Sequence, residues 1–173
     1  AFEGAICATP LEYVPRARAV YSDLGFMLLG FLLEDLSPLS AQFDAMRVQM
    51  GNIQELQFHP PQAWVKRTAP TQEKAFRGGL VVGAVDDDNA WALGGAAGHA
   101  GLFGTAAAVG ECTRHVMQVL GGRIGAFRSE TMRAFIAPTI DVPGSSRALG
   151  CDTVGPTACR GAGGRWRSRR RSG

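Results

Sequence analysis

The chain has 173 residues, 46% of them hydrophobic and 19% charged, which excludes a disordered polymer and allows one ordinary core. Its net charge of +3 hides a split, because six arginines and no acid fall within residues 160–173, leaving residues 1–159 at −3. That acidic body removes the electrostatic argument for a nucleic-acid-binding domain.

In chain order, residues 1–20 read as a short helix or loop followed by an extended approach, with Pro10 and Pro15 breaking regularity. Ser22 is placed to cap a helix from Asp23 to about Leu36, with Asp23 favourable against the helix dipole. This helix has almost no polar face, so it is expected to be surrounded by protein on most sides. Its apolar stretch, Leu24 to Leu33, is shorter than the roughly 20 residues a bilayer span needs. Ser37-Pro38 predicts a cap and a first-turn proline for a helix ending near Met50, before Gly51. Residues 52–90 read as mostly irregular, with a short strand somewhere in Gly79–Val85. Thr105 is expected to cap a helix whose apolar side carries Val109, Cys112, Val116, Val119 and Leu120, stopped by Gly121-Gly122. Ser129 is expected to cap a short helix to about Ile136, closed by Pro138.

From Gly155 the composition turns abruptly to Gly, Arg, Ser and Ala. Residues 1–153 therefore read as one partial domain and 154–173 as a basic tail, either a disordered arm that binds nucleic acid or an acidic partner, or an out-of-frame C-terminus. No signal peptide is visible, although the chain starts at Ala1 without a methionine; exported and cytoplasmic locations both stay open. Cys7, Cys112, Cys151 and Cys159 show no Cys-x-x-Cys spacing; Cys112 reads as a buried free thiol.

Two segments carry the chemistry. One is Tyr21-Ser22-Asp23-Leu24-Gly25-Phe26, opening a helix. The other is the run from Asp88 to Ala106, which packs Gly94, Gly95, Gly98, Gly101 and Gly104 around His99. In this order they resemble the serine β-lactamase and penicillin-binding-protein superfamily, in particular its class C-like esterase branch. The resemblance covers about residues 5–153, ending at Ala148-Leu149-Gly150-Cys151-Asp152-Thr153.

That resemblance implies an α+β fold of β-lactamase/transpeptidase type, of which this chain supplies mainly the helical subdomain and little of the antiparallel sheet. It implies that Tyr21 carries proton transfer and Asp23 positions, while Ser22, Gly98, His99 and Gly101 shape a substrate pocket. A phenol titrates near pH 10, so Tyr21 needs neighbouring cations to act as a base near neutrality. Asp23 stands where the best-known relatives carry Asn. The substrate of a complete relative is an ester, β-lactam or peptide, attacked by a serine with the oxyanion held on backbone N–H groups. No metal or organic cofactor, no nucleic acid and no transmembrane segment are implied; oligomeric state stays open.

The nucleophile is not in the chain. No Ser-x-x-Lys occurs, and the only lysines are Lys66 and Lys74. Thr71-Gln72-Glu73-Lys74 has the spacing but reads as a rim loop. His99-Ala100-Gly101 is not read as the Lys/His-Thr-Gly strand, because it runs into Thr105 and a helix; His99 reads as a loop-pinning hydrogen-bonder. Asp86-Asp87-Asp88 lacks an EF-hand pattern and reads as solvated or loop-bracing. His59, His99 and His115 share no zinc-ligand spacing. Trp64 and Trp91 suit core or groove-wall positions. The chain is accordingly expected to be an inactive fragment of a serine hydrolase; the alternative is a non-enzymatic relative acting as a binding module.

Overall fold

The computed structural model describes residues 1–138, 142 and 145–153; the arginine-rich segment and Cys159 lie outside the described residues. The chain divides into two compact units. The first combines residues 1–10 with 21–129; the second takes residues 11–20 and the described part of the chain from residue 130.

The first unit opens with α1 (Phe2–Ala8) and α2 (Asp23–Glu34). Ser22 caps α2 as its pattern predicts, its hydroxyl accepting the Leu24 N–H at 3.3 Å. The other end of α2 is tied by Gln42, whose carboxamide donates to the carbonyls of Leu33 (2.6 Å) and Ser37 (2.7 Å). Gln42 belongs to α3 (Leu39–Gln49). Here the sequence expectation is corrected: Pro38 is the N-cap residue of α3, no side chain caps it, and Ser37 contributes its carbonyl instead. A C-terminal orphan carbonyl of α2 needed a donor more than the α3 N-terminus needed a hydroxyl.

A second correction concerns the surroundings of α2. Only Met27 and Gly30 are buried, whereas Leu24, Leu29, Leu32 and Leu33 are 40–63% exposed and Leu36, just beyond the helix, is 80% exposed. An all-apolar helix needs partners on every side, and the first unit supplies them mainly along the Met27–Gly30 stripe. No single helix is long and apolar enough to cross a membrane among the described residues.

Regular sheet is scarce. Strand β1 (Leu56–Gln57) pairs antiparallel with β4 (Phe103–Gly104), Leu56 opposite Gly104. Strand β2 (Glu73–Lys74) pairs with β3 (Gly79–Leu80) across a turn that Gly78 makes at φ +87°. The described residues are therefore α+β, with helices dominating two small antiparallel ladders.

Helix α5 (Ala106–Leu120) starts where expected, Thr105 accepting the Ala108 N–H at 3.2 Å. Its inward face runs through Ala108, Cys112 and Val119, while Val109, expected inside, is exposed. The expected face holds at Cys112 and Val119 and fails only in the first turn, where Ala108 rather than Val109 meets Met50, Ile53 and Leu56. Phe43, Met46, Ala126 and Phe127 complete that core. Burial raises the Cys112 thiol pKa, in keeping with an inert core cysteine. A second core of Val85, Ala90 and Ala97 lies around α4 (Asp88–Ala92).

In the second unit, Arg18 lies 4.4 Å from the ring centre of Tyr13. Gly150 packs on Phe135, and Arg147 bridges to Asp152 at 3.1 Å. Helix α6 (Ser129–Ile136) includes Ser129 as its first residue.

Candidate active site

Tyr21 and Asp23 meet through their side chains: the phenol donates to Asp23 Oδ1 at 2.8 Å. The tyrosine is 71% exposed, so its ring faces solvent while its hydroxyl is aimed by the first residue of α2. Ser22 between them is committed to the helix cap.

The glycine-rich run is folded by its own backbone requirements. Gly94 (φ +91°) and Gly95 (φ +100°) turn the chain after α4, and Gly101 (φ +124°) turns it again. A methyl on Gly101 would stand 2.2 Å from the Gly95 carbonyl oxygen. At Gly98 the need is proximity instead: a methyl there would stand 2.0 Å from the Phe26 carbonyl oxygen, and one on Gly30 would stand 3.0 Å from the Gly98 nitrogen. The loop is thus seated backbone-to-backbone on α2, about one turn beyond Asp23.

That seating delivers His99. Its side chain is 3% exposed, and Nε2 lies 2.8 Å from Asp87 Oδ1. The same carboxylate caps α4 by accepting the Ala90 N–H at 2.7 Å. Burial pushes the Asp87 pKa up, but the hydrogen bonds from Ala90 and His99 outweigh it and leave it below the ordinary value. Such a group binds a proton less readily folded than unfolded. Its stabilisation is complete above about pH 4 and is lost as pH falls through the lowered value. Thermal melts between pH 6 and pH 2.5 should show a steeper acid loss in the wild type than in Asp87→Asn; equal slopes would exclude Asp87 as a contributor.

One atom each of Asp23, Asp87 and His99 lies within 4.8 Å of the others. This is the described group whose spacing could hold a cation. Its hydrogen atoms are already committed, though: Tyr21 serves Asp23 and His99 serves Asp87. Ligation through His99 Nε2 would also leave the Nδ1–H, buried without a partner, lacking the acceptor that a metal-bound imidazole uses. Hydrogen bonding accounts for the cluster better than ligation does.

The remaining candidates are placed as follows. Thr71 and Lys74 are not a nucleophile pair, because the Lys74 ammonium is bound to the Asp86 carbonyl and to Asp88 at 2.7 Å. Asp88 is held low chiefly by the Lys74 hydrogen bond; desolvation opposes it, and the Lys74 charge and then Arg77 add smaller lowering effects. Asp86–Asp88 therefore brace a loop. Trp91 is half exposed, with Arg77 4.7 Å above its ring and Phe76 at its edge. Of the four expected pocket residues, Gly98 borders a crevice of about 30 Å³ against Met27 and Gly30. A larger hollow of about 330 Å³ is bounded by His59, Trp91, Gly94, Gly95 and Phe103 instead. His59 sits there at φ +50°, a conformation with no signature in its neighbours. Asp87 was the other residue missed as a partner of His99; the signal present was an Asp three residues before Ala90, an N-cap pattern.

Comparison with known proteins adds the following. A model of the Beta-lactamase family matches residues 2–140. Proteins named "Putative D-alanyl-D-alanine carboxypeptidase" from Salmonella gallinarum, Salmonella paratyphi B and Salmonella newport are each 32% identical over 114 residues. Those alignments cover 55% of this chain and 26% of each relative, so the chain spans about a quarter of the length of the curated relatives it matches. No solved structure matches the chain.

Proposed function

The chain belongs to the Beta-lactamase family, and from that membership we propose that it is the helical part of a serine hydrolase acting on an ester, β-lactam or peptide carbonyl. In this reading Tyr21 relays the proton that the attacking serine loses, and Asp23 orients the Tyr21 hydroxyl. Ser22, Gly98, His99 and Gly101 shape the adjoining wall. The observation that carries the reading is the 2.8 Å bond from the Tyr21 phenol to Asp23 at the start of α2, with the Gly98 loop seated on that same helix. The named activity of the Salmonella relatives, cleavage at D-alanine, makes a small acyl-D-amino-acid amide one member of the substrate class.

The 173 residues contain neither a Ser-x-x-Lys nor a Lys/His-Thr-Gly sequence. A phenol without a serine to deprotonate forms no acyl-enzyme. The purified chain is therefore expected to give no turnover of a chromogenic cephalosporin or nitrophenyl ester above buffer, and no acyl adduct by intact-mass spectrometry. Turnover abolished by Tyr21→Phe would overturn the inactive reading while supporting the assignment of Tyr21. A second reading, a non-enzymatic binding relative, draws on the exposed leucines of α2; a monomeric chain with a cooperative melt favours it.

A further inference from the structure

We propose, resting on the reading of Tyr21 and Asp23 just given, that Asp87 and His99 form a positioning pair for Asp23: the imidazole, anchored by Asp87, sets the orientation of the carboxylate that receives the Tyr21 hydroxyl. Three elements contribute. Asp23 opens α2, Asp87 caps α4, and His99 comes from the glycine loop.

The first argument is geometric. Asp87 is held by its cap to Ala90, so the imidazole it binds is held too. The backbone beside His99 is seated on α2 at Phe26 and Gly30. The backbone that carries His99 is thus placed against α2 by main-chain contact.

The second argument is electrostatic. Two carboxylates with oxygens within 4.8 Å repel. The charged groups at the cluster are Asp23 from α2 and Asp87 from the α4 cap; Lys74 and Arg77 nearby are occupied by Asp88. The imidazole is the group beside both carboxylates that hydrogen-bonds to one of them, Asp87, at 2.8 Å. A histidine serving only to pin the loop would need Asp87 alone, with no second carboxylate beside it.

Asp87→Asn separates this proposal from a purely structural role. Asparagine caps helices as well as aspartate does, so α4 keeps its N-terminus while the charge facing His99 disappears. The chain has two tyrosines, Tyr13 and Tyr21, so labelling it with 3-fluorotyrosine gives two fluorine resonances, assigned by Tyr21→Phe. Asp87→Asn and His99→Ala are each expected to move the Tyr21 resonance well beyond any change in the Tyr13 one. The double variant should move it no further, and His99→Gln, which retains a donor toward Asp87, should restore part of the shift. A Tyr21 resonance unmoved in an Asp87→Asn chain that melts normally would overturn the proposal. So would stoichiometric Zn²⁺ binding by the wild-type chain that Asp23→Asn abolishes, because the cluster would then be a metal centre. A chain that hydrolyses nothing leaves this readout usable, and a silent fluorine signal leaves the hydrolase reading standing.

Discussion

Replacing Gly98 with alanine is expected to cost about 3 kcal/mol or more. The added carbon would stand 2.0 Å from the Phe26 carbonyl oxygen and near Gly30 Cα. Both obstacles are backbone, so no rotamer change makes room. The loop must lift from α2, carrying His99 away from Asp23. Gly110→Ala is the matched control. It lies inside α5 with nothing within 4 Å of the new methyl, so it should stabilise by about 0.5–1 kcal/mol through helix propensity. Urea midpoints of the two variants should move in opposite directions. A Gly98→Ala midpoint near that of the wild type would mean that the loop does not touch α2.

Arg77→Ala is expected to cost about 2–4 kcal/mol. Its side chain is 4% exposed. The guanidinium donates to the Val85 carbonyl at 2.8 Å and the Asp86 carbonyl at 3.1 Å, and its face covers Trp91. Removing it takes the donor from the Val85 carbonyl and one of two donors from the Asp86 carbonyl, immediately before Asp87, the residue that fixes His99. The ion pair with Asp88 at 3.3 Å is a minor part, since that carboxylate is solvent-exposed and screened. Asp88→Asn should accordingly leave the urea midpoint nearly unchanged while Arg77→Ala lowers it clearly. Arg77→Lys should fall between them, because one ammonium cannot span both carbonyls and the ring. Equal effects of Arg77→Ala and Asp88→Asn would show that the ion pair, not the carbonyl clasp, holds the loop.

The parts of this protein that can be read from its residues are those set by local chemistry. Ser22 and Thr105 cap α2 and α5 because a hydroxyl two or three residues ahead of free N–H groups has a short-range partner wherever the helix ends up. The glycine run before Thr105 signals turns, and three of its glycines do adopt positive φ. The order of the Tyr21 and His99 segments points to the family that the match over residues 2–140 establishes.

What depends on distant segments could not be read this way. Gly98 and His99 are adjacent in sequence and look alike as loop residues. One is required by the Phe26 carbonyl and the other by Asp87, each contact made across a separate piece of chain. The exposure of the α2 leucines is a property of what stands beside the helix, which its own periodicity does not contain. Lys74 is taken up by Asp88, fourteen residues on, so spacing to Thr71 was no guide to its role. The starts of α2 and α5, the glycine turns and the family were thus determined by the sequence alone, because capping and positive φ are satisfied within a few residues. The meeting of Asp23, Asp87 and His99 was decided only by tertiary structure, because it depends on how closely two backbones approach at Gly30 and Gly98.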